Sequence, residues 1–183
     1  MREVNKVSVS YNGRMVGSII RHQRYLTAFV YDPEWLSNGF SISPLSLPLR
    51  EEPFIAKQDP FDGLFGVFAD SLPDGWGRLL VDRLLLKNKI NPHNVGNLER
   101  LSIVGTSGMG ALSYEPVYNI AEKNGFADLD KLAEECSLIL SSEYNDNIDE
   151  LFSLGGSSGG ARPKILTEVD GEDWIIKFPA SMD

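Results

Sequence analysis

The sequence predicts an α+β fold: a small mixed or antiparallel β-sheet subdomain with helices, followed by a hairpin that opens on a glycine-rich loop. Three observations predict it. The first fifty residues carry β-branched and aromatic segments around an Asn12-Gly13 turn. From Phe61 to Ser141 the apolar period lengthens to that of a helix. Four of the 17 glycines then crowd between Gly155 and Gly160, ahead of two further apolar runs. With 183 residues, 42% hydrophobic and 23% charged, the chain is long enough to bury a core without disulfide staples, and its composition excludes a disordered, collagen-like or coiled-coil protein.

Taken in order, Val4, Val7, Val9 and Tyr11 lead into Asn12-Gly13, and Met15 to Ile20 resumes apolar, so a hairpin is expected. Tyr25 to Tyr31 reads as a third strand, ended by Asp32-Pro33, an N-cap followed by a favoured first helical residue. A short helical turn through Trp35 follows. Phe40 to Leu49 is extended, and Pro44 and Pro48 confine it to an edge strand or loop. Phe61, Leu64, Phe65 and Phe68, then Leu79, Leu80, Arg83, Leu84 and Lys87, predict two helices joined by the turn Pro73-Asp74-Gly75. Asn91-Pro92 stops the second. Val95 to Val104 predicts another short helix, Gly105 to Gly110 a loop, and Ala111 to Tyr114 a strand returning to the sheet.

Asp128 to Ser141 is the clearest helix. Leu129, Leu132, Ala133, Cys136, Ile139 and Leu140 form one stripe, with Asp130, Lys131, Glu134 and Glu135 opposite. Cys136 is therefore assigned to the core. Asn145 to Glu150 reads as a polar loop into a short helix ending at Phe152. Lys164 to Val169 and Asp173 to Phe178 flank Asp170-Gly171 as a second hairpin. The domain organisation expected is 1–118 for the sheet subdomain, its sheet covered by helices between Phe61 and Val104, and 119–183 for the glycine-loop unit.

The formal charge is -9, a surface that repels a phosphate backbone, so non-specific nucleic-acid binding by the whole chain is not expected. The acidity is local. Ten acidic and two basic residues lie between Glu115 and Glu150, and the remaining sixteen acidic residues are nearly balanced by fifteen basic ones. A single cysteine and the absence of a charged-then-apolar leader point to the cytoplasm, and no apolar run approaches the roughly 18 residues of a spanning helix. His22 and His93 lack metal-ligand spacing, so no metal site is expected. Asp70 and Asp74 could pair as carboxylates, but Asp74-Gly75 is more simply a turn. Trp35 and Trp76 read as packing residues, Trp76 also as an interface candidate, and Arg78 as a local cap or ion-pair partner.

Chemistry concentrates in residues 153–178. A run of glycines lets backbone N–H groups approach a bulky anion, and phosphate is the obvious candidate. Lys177, inside a strand that otherwise reads apolar, needs a reason. A glycine loop covering nucleotide phosphates, with a strand-borne lysine holding them from below, satisfies both observations and is the arrangement protein kinases use. A P-loop wants Lys-Ser or Lys-Thr after its last glycine, whereas Gly160 is followed by Ala161-Arg162; no Gly-x-Gly-x-x-Gly occurs either. The bland alternative is a solvated linker with an ordinary surface lysine.

The motifs Tyr31-Asp32-Pro33-Glu34-Trp35-Leu36, Ser43-Pro44-Leu45-Ser46-Leu47-Pro48-Leu49, Ser71-Leu72-Pro73-Asp74-Gly75-Trp76-Gly77-Arg78 and Gly108-Met109-Gly110-Ala111-Leu112 together resemble the N-terminal region of HipA-type serine/threonine kinases, the toxin halves of bacterial toxin–antitoxin pairs. Gly155 to Lys164 resembles that family's glycine- and serine-rich loop, and Ile175-Ile176-Lys177-Phe178-Pro179 its ATP-lysine strand. The resemblance implies that residues 119–183 begin a kinase-like N-lobe. It implies that Lys177 contacts the ATP phosphates and that Gly155, Gly156, Ser157, Ser158, Gly159 and Gly160 cover them, with Arg162 and Lys164 as further phosphate contacts. Autophosphorylation at Ser157 or Ser158 would place nearly two negative charges where ATP phosphates must sit, and so inhibit.

ATP and Mg2+ are the cofactors implied for the complete kinase. The implied partners are a DNA-binding antitoxin of the HipB type, with DNA reached only through it, and a second copy in a homodimer. No membrane is involved. The chain stops six residues after Lys177, before the catalytic-loop aspartate, its following asparagine and the magnesium-holding aspartate of such a kinase. The expectation is a truncated form that carries the phosphate-binding half, holds no catalytic residue and transfers no phosphate alone. The alternatives are a non-catalytic module that docks an antitoxin or a separate kinase subunit, and a generic α+β adaptor.

Overall fold

Asn12 and Gly13 take φ values of 48° and 74°, the left-handed pair that matches strand twist in a two-residue turn. They close β1 (Lys6–Tyr11) onto β2 (Arg14–Arg21), with Val7 opposite Ile19 and Val9 opposite Gly17. The computed structural model describes residues 3–23, 25–120, 129–141, 148–155, 159–169 and 171–179. The chain forms two compact units, Met1–Leu72 with Val95–Tyr118, and Pro73–Asn94 with Asn119–Asp183.

The first unit is built on a five-stranded, wholly antiparallel sheet. β3 (Thr27–Tyr31) pairs with β2, β4 (Phe54–Ile55) with β3, and β5 (Leu112–Glu115) with β1, giving the order β4-β3-β2-β1-β5. β3 starts at Thr27 rather than Tyr25 because the His22 and Gln23 amides both turn onto the Leu26 carbonyl, which closes the β2–β3 connection. Val7, Val9, Val16, Ile19, Phe29 and Tyr31 are buried in one core. The helix α1 (Pro33–Asn38) begins as its sequence predicts, with the Asp32 side chain accepting the Glu34 N–H at 2.9 Å and Pro33 in the first turn. Trp35 is buried and donates through Nε1 to the Phe40 carbonyl.

Phe40 to Leu49 is a loop containing one bridge, Ser43 to Leu47, and the edge strand is β4 instead. Pro44 and Pro48 lack the N–H groups that a ladder needs. The loop is pinned through the Leu47 carbonyl, which accepts the Tyr31 hydroxyl at 2.6 Å and the Ser41 hydroxyl at 2.8 Å. The helix expected from Phe61 is shorter than its spacing implies. Asp62 and Gly63 take φ values of 49° and 80°, which no helix accommodates, so α2 spans only Gly66–Ala69. After the first unit's second segment begins, α4 (Asn97–Val104, the fourth helix in chain order) lays Leu98, Leu101 and Val104 into the same core as the sheet. Its Glu99 accepts the Val4 N–H at 2.9 Å and Arg21 Nη2 at 2.7 Å.

The second unit contains α3 (Gly75–Lys87), α5 (Leu129–Leu140), α6 (Ile148–Gly155) and the hairpin β6 (Lys164–Val169) and β7 (Glu172–Lys177). Residues 73–94 group here, so α3, one of the helices between Phe61 and Val104 that the sequence assigns to the cover of the sheet, shares this unit's core. Trp76, Leu80 and Leu84 of α3 share a core with Leu132, Cys136, Ile139, Ile148, Leu151, Ile165 and Phe178. Lys87 pairs with the buried Asp149 carboxylate, tying α3 to α6. Cys136 is core, as its place in the stripe predicts. The stripe leans toward Glu135, which is buried, while Leu140 is 37% exposed. Leu132, Cys136 and Ile139 set the inward direction, and at 100° per residue Glu135 flanks that line more closely than Leu140 does.

Candidate phosphate-binding site

The β6–β7 register places Lys164 directly opposite Lys177, Ile165 opposite Ile176 and Leu166 opposite Ile175, with Gly171 at φ 80° in the turn. The Phe178 N–H donates to the Pro163 carbonyl at 2.9 Å and carries the pairing one step further. Residues directly opposite in an antiparallel ladder share a face, so two ammonium groups occupy neighbouring positions, an arrangement that destabilises the hairpin unless an anion or a carbonyl meets them.

The two lysines differ in environment. Lys177 is exposed, and β7 as a whole faces water along most of its length, with Trp174 51% and Ile175 50% exposed. The strand reads apolar in sequence, yet its apolar residues are only partly covered. The lysine that the fold buries is Lys164, at 7% exposure. Burial pushes its ammonium below the ordinary lysine range, the Lys177 charge lowers it further, and Asp74 opposes both. The Lys164 ammonium donates to the Gly159 carbonyl and lies 3.4 Å from the Gly160 carbonyl.

The glycine segment is anchored to the start of α3. The Trp76 N–H, one of the donors a helix leaves unpaired in its first turn, donates to the Gly160 carbonyl at 2.9 Å. The Gly160 N–H donates to Asp74 Oδ1 at 2.5 Å, and the Trp76 indole N–H donates to the Lys164 carbonyl at 3.2 Å. Gly75 takes φ 41°, and a Cβ there would stand 2.6 Å from the Gly160 oxygen, so only glycine permits this approach.

The sequence-predicted residues are thus distributed as follows. Gly159, Gly160, Lys164 and Lys177 come together around the base of the hairpin. Gly155 ends α6 and is buried, belonging to the helix rather than to the loop. Arg162 is exposed near the start of β6. Gly156, Ser157 and Ser158 lie outside the described residues. Trp76 is 1% exposed, the packing residue that its sequence reading predicts, and it also anchors the glycine segment. Arg78 pairs locally with Asp82. Asp74, which the sequence assigns simply to a turn, stands at the helix-cap position of α3, and its carboxylate holds Gly160, 86 residues away. Its only sequence signal is an Asp-Gly just before a helix, which does not say where the carboxylate goes.

Among the described residues no group of three or more His, Cys, Asp or Glu side chains is placed to hold a metal ion. Among the described residues, no helix is long and apolar enough to cross a membrane.

An antiparallel sheet packed with short helices, followed by a separate unit in which two lysines and a glycine pair meet, defines an α+β protein with a candidate anion site. Residues 7–115 match the family described as HipA N-terminal domain, which is more than half of the chain. The chain belongs to the HipA family. No curated protein matches it. The matched region contains Asp74 and the Pro73-Asp74-Gly75-Trp76 turn, and ends before the glycine segment and the lysine hairpin.

Proposed function

We propose that this chain carries the N-terminal region of a HipA-like serine/threonine protein kinase, the toxin of a toxin–antitoxin pair, and that its second unit supplies the phosphate-binding half of the ATP site at the start of a kinase N-lobe. The observation that carries this is the cross-strand pair of Lys164 and Lys177, reached from a glycine pair, in a chain of this family. Opposed ammonium groups repel, and the phosphates of a bound nucleotide relieve that repulsion while a side-chain-free backbone at Gly159 and Gly160 lets them approach. Lys177 is the primary phosphate contact, with Lys164 behind it and Arg162 in reach of a flanking oxygen. ATP accompanied by Mg2+ is the ligand, and a phosphate on Ser157 or Ser158 competes with it by charge. The acidic stretch between Glu115 and Glu150 suits a basic partner, for which a DNA-binding antitoxin is the candidate.

The test is labelling of the full chain with a lysine-acylating ATP analogue, followed by peptide mapping. Labelling at Lys177 that excess ATP and Mg2+ suppress supports the assignment. Labelling that ATP leaves unchanged refutes it. A second, non-catalytic role in docking an antitoxin or a separate kinase subunit is favoured by the half-exposed Trp174 and Ile175, and predicts partner binding that survives Lys177→Gln.

A further inference from the structure

Lys164 and Asp74 bracket the same two glycines. The ammonium of Lys164 donates to the Gly159 carbonyl and approaches that of Gly160, while Asp74 Oδ1 accepts the Gly160 N–H at 2.5 Å, a hydrogen bond to a carboxylate. The Cβ position of Gly159 lies 3.3 Å from the same carboxylate oxygen. Asp74 is also one of the charges that Lys164 senses. The amide and the ammonium best placed to bind a phosphate oxygen are therefore already satisfied from within, the amide by a carboxylate.

We propose that Asp74 is the internal counter-anion of this site: its carboxylate occupies the Gly160 amide and is displaced when a phosphate takes that amide over. The inference rests on the nucleotide reading of Lys164 and Lys177. A phosphate oxygen that takes the Gly160 N–H comes up against the carboxylate already bonded to it, and the two negative charges repel. Asp74 is exposed, so its carboxylate reaches water once released. The neighbouring contact, Trp76 N–H to the Gly160 carbonyl, does not involve the carboxylate and keeps the glycine segment attached to α3. Asp74 is thus a positioning residue that sets the strength of binding, with Lys177 as the direct contact.

The experiment is calorimetric titration of the full chain with inorganic pyrophosphate and with ATP plus Mg2+, for the natural sequence, Asp74→Asn, Asp74→Ser and Lys177→Gln. Asn keeps an oxygen acceptor and Ser is a good helix N-cap, so both variants preserve the fold, checked by circular dichroism. Both are expected to bind pyrophosphate about fivefold more tightly, and Lys177→Gln weakly. The Gly160 amide resonance, read in glycine-labelled protein without ligand, is expected to move upfield in Asp74→Asn as a charged acceptor becomes neutral. Natural protein that binds while Asp74→Asn binds equally or more weakly, or a Gly160 resonance that does not move, overturns the counter-anion role alone. If neither the natural chain nor either folded Asp74 variant binds pyrophosphate or ATP, the nucleotide reading falls and this role falls with it.

Discussion

The indole N–H of Trp76 donates to the backbone carbonyl of Lys164 at 3.2 Å, joining the first turn of α3 to the first residue of β6 across 88 residues of chain. Trp76 is also a central residue of the second unit's core. Trp76→Phe keeps most of the ring but leaves a buried carbonyl without its donor, and is expected to cost about 2 kcal/mol; Trp76→Ala should cost about 3–5 kcal/mol. Urea denaturation followed by circular dichroism measures both. A Phe variant as stable as the natural protein would show that the hydrogen bond contributes nothing.

Lys164 and Lys177 repel across the ladder in the absence of a ligand. Lys177→Gln is expected to stabilise the unliganded chain by about 0.5 kcal/mol at low salt, and the gain should vanish near 1 M salt as the Debye length falls to about 3 Å. Thermal melts at two ionic strengths test this. A salt-independent effect, or a loss of stability, contradicts the repulsion.

Alkaline pH should unfold the protein through Cys136 and Tyr114. Burial first, and then the Glu135 charge, push the Cys136 thiol from 9.0 up to about 12; burial raises the Tyr114 hydroxyl from 10.0 to about 12, against the hydrogen bond to Ser71. Both groups keep their protons in the native state after the unfolded chain has lost them. Their stabilisation is therefore complete below pH 9 and declines as pH rises toward 12, by up to about 1.4 kcal/mol per pH unit for each group. Stability curves from pH 8 to 11 should show the decline beginning near 9, and Cys136→Ala should delay its onset by about one pH unit. Iodoacetamide should label Cys136 only in denaturant.

Glu99 is the polar anchor of the first unit. Its carboxylate accepts the Val4 N–H and the Arg21 guanidinium, with Glu99 largely buried and Arg21 partly exposed. Glu99→Ala leaves the Val4 N–H without its acceptor, while the Arg21 guanidinium keeps its hydrogen bond to the Val4 carbonyl at 2.8 Å; the loss is expected to cost about 1–3 kcal/mol. A double-mutant cycle with Arg21→Ala should return a coupling of about 1–2 kcal/mol; additive single effects would show that the pair does not interact.

Much of the architecture was legible in local patterns. Asn12-Gly13, Asp32-Pro33 and the Leu132, Cys136, Ile139 stripe each act within a few residues, so short-range sterics, capping and periodicity decide them. The spacing from Phe61 predicts more helix than forms, because Asp62 and Gly63 adopt left-handed backbone, which hydrophobic spacing does not record. Lys164 and Lys177 are both visible in the sequence as basic residues beside a glycine run, but that they stand opposite one another comes from the β6–β7 register.

By itself the sequence determined the α+β class, the positions of both hairpins and of most helices, the core role of Cys136 and the motifs of the HipA family. Only the tertiary structure decided that α3 packs with the second unit, that Lys164 rather than Lys177 is the buried lysine, and that Asp74 holds Gly160. Each of these joins residues more than sixty positions apart or depends on which face of an element is covered. Such relations are set by packing among several elements at once, and no local pattern of residue types contains them.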